Sequence, residues 1–162
     1  MDMKIKLIDF TEMTDEQKQM VLTWRNNPNV RKWMYNQKEI PLEEHREFIE
    51  SLKLSKDKRY FLVDSDKGYI GVIDFTDISK DSSYFGFYSN PESKIPGIGR
   101  ILERVSIDYA FNVLKVGLLK LEVFVDNVKV VNLHKKFDFK ITCEKVVLGH
   151  KVFCMELKNE NR

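Results

Sequence analysis

The chain is 162 residues long and weighs 19.2 kDa; 43% of its residues are hydrophobic, 32% are charged, and the formal net charge is +2. That balance fits one globular domain over residues 1–162 and excludes disorder and a basic nucleic-acid-binding surface. No stretch approaches the ~20 apolar residues of a membrane span, and Met1 to Lys6 carry no apolar leader, so a soluble cytoplasmic protein is expected.

Residues 4–10 are short and β-prone and predict a first strand. Thr14-Asp15-Glu16-Gln17 has capping-box spacing, a hydroxyl at the N-cap and an amide three residues on, and opens a helix that should bury Met20, Val21 and Trp24. Asn26-Asn27-Pro28 ends it, because the residue before a proline resists the αR conformation. A short helical or irregular piece over 30–36 carries Trp33, Met34 and Tyr35. Pro41 then opens a helix with Leu42, His45, Phe48, Ile49 and Leu52 on one face. Residues 59–63 and 69–75 read as a hairpin, which a strand over 82–88 extends into a meander. Gly86 inside that strand suggests a bulge or a close backbone approach.

The next stretch is a loop with Gly97 and Gly99 set between Lys94 and Arg100, at a strand-to-helix junction. Bare amides, a helix N-terminus and no Cβ suit such a loop to an anion such as a pyrophosphate; a plain surface turn is the alternative. The helix it leads into should place Ile98, Ile101, Leu102, Val105, Tyr109 and Val113 inward, with Gly117 as its stop. Residues 119–125 alternate and predict a strand; Asp126-Asn127 caps a helix with Val130, Val131, His134 and Phe137 inward. Two terminal strands follow, over 139–141 and 146–157, and Phe153, Met155 and Leu157 on the last allow a homodimer or a core role. Cys143 and Cys154 lack metal-ligand spacing and read as buried thiols. The predicted order is β-α-α-β-β-β-α-β-α-β-β, an α/β domain.

That order, with a glycine loop between the fourth strand and the third helix, resembles the GCN5-related N-acetyltransferase (GNAT) family. Lys94-Ile95-Pro96-Gly97-Ile98-Gly99 matches the spacing of the family's Gln/Arg-x-x-Gly-x-Gly/Ala loop, with Lys94 in the first place. Asn127-x-x-Val130-x-x-Leu133-His134-x-Lys136-x-Asp138-Phe139 echoes the family's Asn-x-x-Ala-x-x-Leu-Tyr-x-Lys-x-Gly-Phe. Two patterns in the right order are far more specific than either alone. The resemblance implies a mixed, mostly antiparallel seven-stranded sheet that splays between its fourth and fifth strands, with acetyl-CoA as donor and no metal. It implies that Lys94, Gly97, Ile98, Gly99, Arg100 and Ile101 hold the pyrophosphate, with Phe87, Tyr88, Phe124, Asn127 and Lys136 as further cofactor contacts. A backbone amide near Phe87 or Tyr88 would polarise the thioester carbonyl. His134 stands where many members carry a tyrosine and would be the general acid that protonates the departing thiolate, a task its ring suits near neutral pH. Nothing in the sequence singles out a general base; Asp74 and Glu122 lie on candidate cleft strands but read more simply as structural carboxylates.

A narrower resemblance is to the acetyltransferases of pseudaminic acid biosynthesis in flagellated bacteria. It rests on Leu22-Thr23-Trp24-Arg25-Asn26-Asn27-Pro28, on Trp33-Met34-Tyr35, and on the segments that follow at matching distances. It implies acetylation of the 4-amino group of UDP-4-amino-4,6-dideoxy-N-acetyl-β-L-altrosamine, by direct attack of the amine on the thioester, for flagellin glycosylation. Arg25, at a helix end, can reach a diphosphate bidentately; Met34 can wall a uracil, and His45 either contacts the sugar nucleotide or packs. Thr76 and Tyr88 align with substrate contacts in that group. Protein N-terminal acetyltransferases, such as those of ribosomal proteins, share the Trp-Arg element and remain an alternative. A non-catalytic acyl-CoA-binding module is another.

Overall fold

The computed structural model describes residues 3–160; Met1 and Asp2, part of the stretch read for a leader, lie outside the described residues. The elements in chain order are β1 (Ile5–Asp9), α1 (Asp15–Asn26), α2 (Pro28–Arg31), α3 (Leu42–Leu52), β2 (Arg59–Ser65), β3 (Gly71–Thr76) and β4 (Ser82–Ser89). They continue with α4 (Ile98–Asp108), β5 (Leu118–Phe124), α5 (Val128–Lys136), β6 (Lys140–Val147) and β7 (His150–Lys158). α1 starts at the expected capping box: Gln17 N–H donates to Thr14 Oγ1 (3.1 Å) and Thr14 N–H to Gln17 Oε1 (3.0 Å). Pro28 ends α1 and at once begins the one-turn α2, which starts two residues ahead of the short helical or irregular piece expected over 30–36.

The strands form one sheet in the order β1-β2-β3-β4-β5-β7-β6. Neighbours are antiparallel except β4 and β5, which are parallel and pair only at Ser82↔Leu118, Ser83↔Leu119 and Tyr84↔Lys120. Beyond those pairs the two strands diverge, as expected. Because side chains alternate along a strand, registers assign residues to faces. One face of β2–β4 carries Leu62 and Val72 and packs under α1 and α3 with Phe10, Val21, Trp24 and Ile49. The other carries Phe61, Ile73, Phe75 and Phe85 and packs under α4 and α5 with Leu102, Ile107, Phe111 and Val131.

Several expectations are corrected by this packing. The helix after the glycine loop does not run straight to Val113: Tyr109–Leu114 is a π-helical turn. Its wider turn rotates the buried face, so Ala110 and Phe111 enter the core while Val113 is 55% exposed. Lys115, at φ 59, ends this helix rather than Gly117, and its amide donates back to the Ala110 carbonyl. The last two strands meet at a tight turn over Leu148 and Gly149, both with positive φ, so the sequence run from 146 to 157 is the end of one strand and most of the next. Gly86 is no bulge, because β3 and β4 keep unbroken register past it, with Asp74 opposite Gly86.

Cys143 is exposed and Cys154 partly so. Glu122, Cys154 and Cys143 stand side by side across β5, β7 and β6, on the part of the sheet face that α1 and α3 do not cover. Met155 and Leu157 point the other way, into the core, so they are not available to a dimer surface. Among the described residues no helix is long and apolar enough to cross a membrane.

Candidate active site

The divergence of β4 and β5 opens the sheet, and a cavity of about 910 Å³ occupies the gap. Its walls come from both faces. From the face under α1 come Arg25, Tyr60, Asp74, Thr76, Tyr84, Gly86, Tyr88, Glu122 and Phe124; from the face under α5 come Phe85, Phe87, Val130 and His134. The cavity is therefore a window through the sheet, with one chemistry on each side.

The segment after α2 bridges one side. Trp33, Met34 and Tyr35 line the cavity, and the rings of Trp33 and Tyr35 pack on Phe124 at 6.4 and 5.7 Å between centroids. Tyr35 Oη donates to Glu122 Oε1, and Lys145 Nζ sits 2.7 Å from Glu122 Oε2. Three side chains at the α1–α2 corner fix the far end of this bridge. Arg25 donates through Nη2 to the Asn36 carbonyl (3.0 Å), Asn26 pairs twice with Ile40, and Arg31 donates to the Gln37 carbonyl. Arg25 Nη1 is buried and has no protein partner. Burial lowers the pKa of this guanidinium, against the pull of Tyr88 and Tyr60.

The two cavity carboxylates are tuned in opposite directions. Burial pushes the Asp74 carboxyl up to about 7. The room for it comes from Gly86, where an added Cβ would lie 3.2 Å from Asp74 Oδ2. Burial also pushes Glu122 upward, but hydrogen bonds from Lys145 and Tyr35 outweigh it and hold Glu122 below its ordinary value. Burial raises the phenols of Tyr60 and Tyr88, and Asp74 raises both further.

On the opposite side His134 is 5% exposed, with Phe85, Phe87 and Phe139 around its ring at 6.0, 6.1 and 5.6 Å. Its Nδ1 lies 2.8 Å from Oε2 of Glu103, a carboxylate in α4 with no exposed surface.

The cavity thus gathers Arg25, Met34, Thr76, Phe87, Tyr88, Phe124, Asn127 and His134 from the sequence-derived site residues. Lys94, Gly97, Ile98, Gly99, Arg100, Ile101 and Lys136 lie outside its lining, the first six along the loop into α4. Gly97 is the N-cap of α4, at φ 70, and no side chain caps that helix. Its left-handed conformation favours glycine, whereas at Gly99 the matter is space: a Cβ there would approach Leu133 of α5 at 3.3 Å, close enough that the leucine must shift. The two sequence patterns touch at that contact. Asn127 sits at the N-cap of α5, but its side chain makes no capping bond and borders the cavity instead. His45 is not brought to the cavity. It is buried between α3 and α1 with Nε2 2.9 Å from the Lys18 carbonyl, and burial lowers its pKa.

Residues 8–140 match the model of the acetyltransferase (GNAT) domain. The chain belongs to the GNAT acetyltransferase family. GNAT enzymes are N-acetyltransferases that take their acetyl group from acetyl-CoA. The chain is 42% identical over 137 residues, 85% of each protein, to acetyltransferase PseH of Campylobacter jejuni strain 81-176. The crystal structure of Campylobacter jejuni N-acetyltransferase PseH in complex with acetyl coenzyme A superposes with a TM-score of 0.80 at 35% identity, over 96% of this chain and 99% of that one. The GNAT fold is shared further: spermidine N-acetyltransferase from Vibrio cholerae, in complex with CoA and spermine, gives a TM-score of 0.84 at 21% identity.

Sequence reasoning passed over Glu103, which reads there as an ordinary charged residue of an amphipathic helix. The available signal was its position: it directly follows Leu102 and precedes Ser106 on the buried side of α4. Tyr60 was equally silent, and Asp74, though placed on a candidate cleft strand, read as a structural carboxylate, because a polar residue at an alternating strand position reads as solvent-facing until something covers it.

Proposed function

We propose that this GNAT enzyme transfers the acetyl group of acetyl-CoA to the 4-amino group of a UDP-4-amino-4,6-dideoxy sugar. The preferred acceptor is UDP-4-amino-4,6-dideoxy-N-acetyl-β-L-altrosamine, for pseudaminic acid synthesis and flagellin glycosylation, in the cytoplasm where both substrates are made. The observation that carries the reading is the two-sided window, with His134 on one face and Arg25, Asp74 and Tyr88 on the other. Similarity to PseH of Campylobacter jejuni over most of the chain supports the choice of acceptor class.

In this reading the pyrophosphate of acetyl-CoA meets the free amides at the start of α4, aided by Lys94 and Arg100. The pantetheine arm runs between β4 and β5 beside Phe87, Phe124 and Asn127. The unpartnered Nη1 of Arg25 takes the diphosphate of the sugar nucleotide, while Met34, Thr76 and Tyr88 hold the uridine and sugar. Asp74 accepts a proton from the acceptor ammonium, because a carboxyl near 7 is well matched to that transfer at neutral pH. Glu122, held low by its pairing with Lys145 and Tyr35, is a poor base. The neutral amine attacks the thioester carbonyl, a backbone amide near Phe87 or Tyr88 stabilises the oxyanion, and His134 protonates the sulfur as the C–S bond breaks.

The test is acetyl-CoA consumption with UDP-4-amino-sugars, with peptides bearing free N-termini, and with neither. Turnover with the sugar alone is expected, and Arg25→Ala should raise KM for the UDP-sugar about tenfold or more while KM for acetyl-CoA stays within twofold, since a lost charged hydrogen bond is worth about 1.5–3 kcal/mol. Turnover with peptides only would transfer the protein to the N-terminal acetyltransferases. Acetyl-CoA binding without turnover would make it a binding module.

A further inference from the structure

Glu103 is the feature that the acetyl-transfer chemistry leaves unexplained. It is fully buried in α4, its Oε2 meets His134 Nδ1 at 2.8 Å, and its Oε1 is buried with no hydrogen-bond partner. A buried carboxylate is strongly unfavourable unless a partner compensates it. Here α4 presents Glu103 to the ring, β4 presents the rings of Phe85 and Phe87, and the chain after α5 presents Phe139. The carboxylate therefore has His134 as its counterpart, in an otherwise aromatic shell.

The geometry also divides the two ring nitrogens. Nδ1 is committed to Glu103, which lies outside the cavity lining, whereas the ring itself forms part of the cavity wall. Nε2, on the far side of the ring, is left to the cavity. A tyrosine at this position carries a single O–H and needs no carboxylate behind it; an imidazole must be told which nitrogen holds its proton.

We propose that Glu103 is a positioning residue that works through His134, fixing the ring by its Nδ1–H and stabilising the imidazolium whose Nε2–H is delivered to the departing thiolate. The inference rests on the reading of His134 as the general acid. When the tetrahedral adduct collapses, the C–S electron pair passes to sulfur and the Nε2 proton follows it, while the nitrogen of the new amide gives up its extra proton to solvent. His134 is left neutral, still donating from Nδ1 to Glu103, and regains its Nε2 proton from solvent before the next turnover.

Three substitutions, two of them also combined, and one spectrum test this. Glu103→Gln keeps the size and an acceptor oxygen but removes the charge. It should lower kcat at least tenfold with both KM values within twofold, and move the high-pH limb of the kcat profile to lower pH. In a His134→Tyr background the same change should have no such effect, because the phenol does not need the carboxylate. Unchanged kcat and pH profile in Glu103→Gln, or an equal loss in the tyrosine background, would overturn the proposal and leave Glu103 a packing residue. His134→Phe at wild-type kcat would instead remove His134 as the acid, a separate failure. Should Glu103→Gln not fold, the ring ¹⁵N spectrum of the wild type still decides. A downfield Nδ1–H on His134 is expected, and a neutral ring protonated only at Nε2 would refute the couple.

Discussion

At the scale of single residues, Asp74 is the cavity group whose environment brings its titration to neutral pH. Its carboxyl is held at about 7 in the folded protein and returns to about 4 when the chain unfolds. Between those values the folded state keeps a proton that the unfolded state releases. Its stabilising effect is thus complete below about pH 4 and disappears as pH rises through 7. Urea midpoints measured from pH 4.5 to 7.5 should fall more steeply for the wild type than for Asp74→Asn, and equal slopes would mean that Asp74 is solvated. The same variant should lose most of its kcat near neutral pH if Asp74 takes the amine proton. Legibility at this scale was uneven. His134 could be found because it stands in a motif, at a fixed distance from an asparagine and a phenylalanine. Arg25 was found for the same reason. Glu103 could not, and Asp74 was placed on a cleft strand without its unusual character, because what makes both unusual is the lack of water around them, and burial is produced by elements far away in the chain. His45 misled in the opposite sense: a titratable ring among apolar neighbours reads alike whether it faces a ligand or the Lys18 carbonyl.

At the scale of elements, most of the order was written in periodicity and punctuation. The capping box of α1, the proline before α3 and the alternation of β5 each rest on neighbouring residues, so local reasoning sufficed. It failed where a local rule was bent by packing. The π turn at Tyr109–Leu114 inserts one residue into the helical repeat, and no 3.6-residue template registers it. The shift has a simple consequence for mutants. Val113→Ala, at an exposed position, should change stability by no more than about 0.5 kcal/mol. Phe111→Ala, at a position 5% exposed, should cost about 3–5 kcal/mol. Chemical denaturation of the two variants separates the π register from the straight-helix register, in which their order would be reversed. The terminal hairpin was misread for a related reason: Leu148 precedes Gly149 in left-handed geometry, and a leucine is not the residue a turn advertises.

At the scale of the whole molecule, one sheet does two jobs. Its β1–β4 half is covered on both faces and gives a rigid wall; its β5–β7 half turns away after three shared pairs. That divergence was expected only from family resemblance, since no residue type marks the place where two parallel strands part. Along the parting, the side of β4 that faces away from β3 has no strand neighbour from position 85 onward among the described residues. A ligand lying there supplies what the sheet lacks, so binding and folding are linked. Acetyl-CoA at 100 times its Kd should add about 2.7 kcal/mol and raise Tm by roughly 5–10 °C for a chain of this size. No shift with acetyl-CoA would count against the cofactor lying in the seam. The consequence reaches beyond heat. Among the amide hydrogens of β4 beyond Tyr84, those that point away from β3 should trade with deuterium readily in the free enzyme and become slow once the thioester is in place. In a cell, the lifetime of this protein against proteases would then follow the supply of activated acetate.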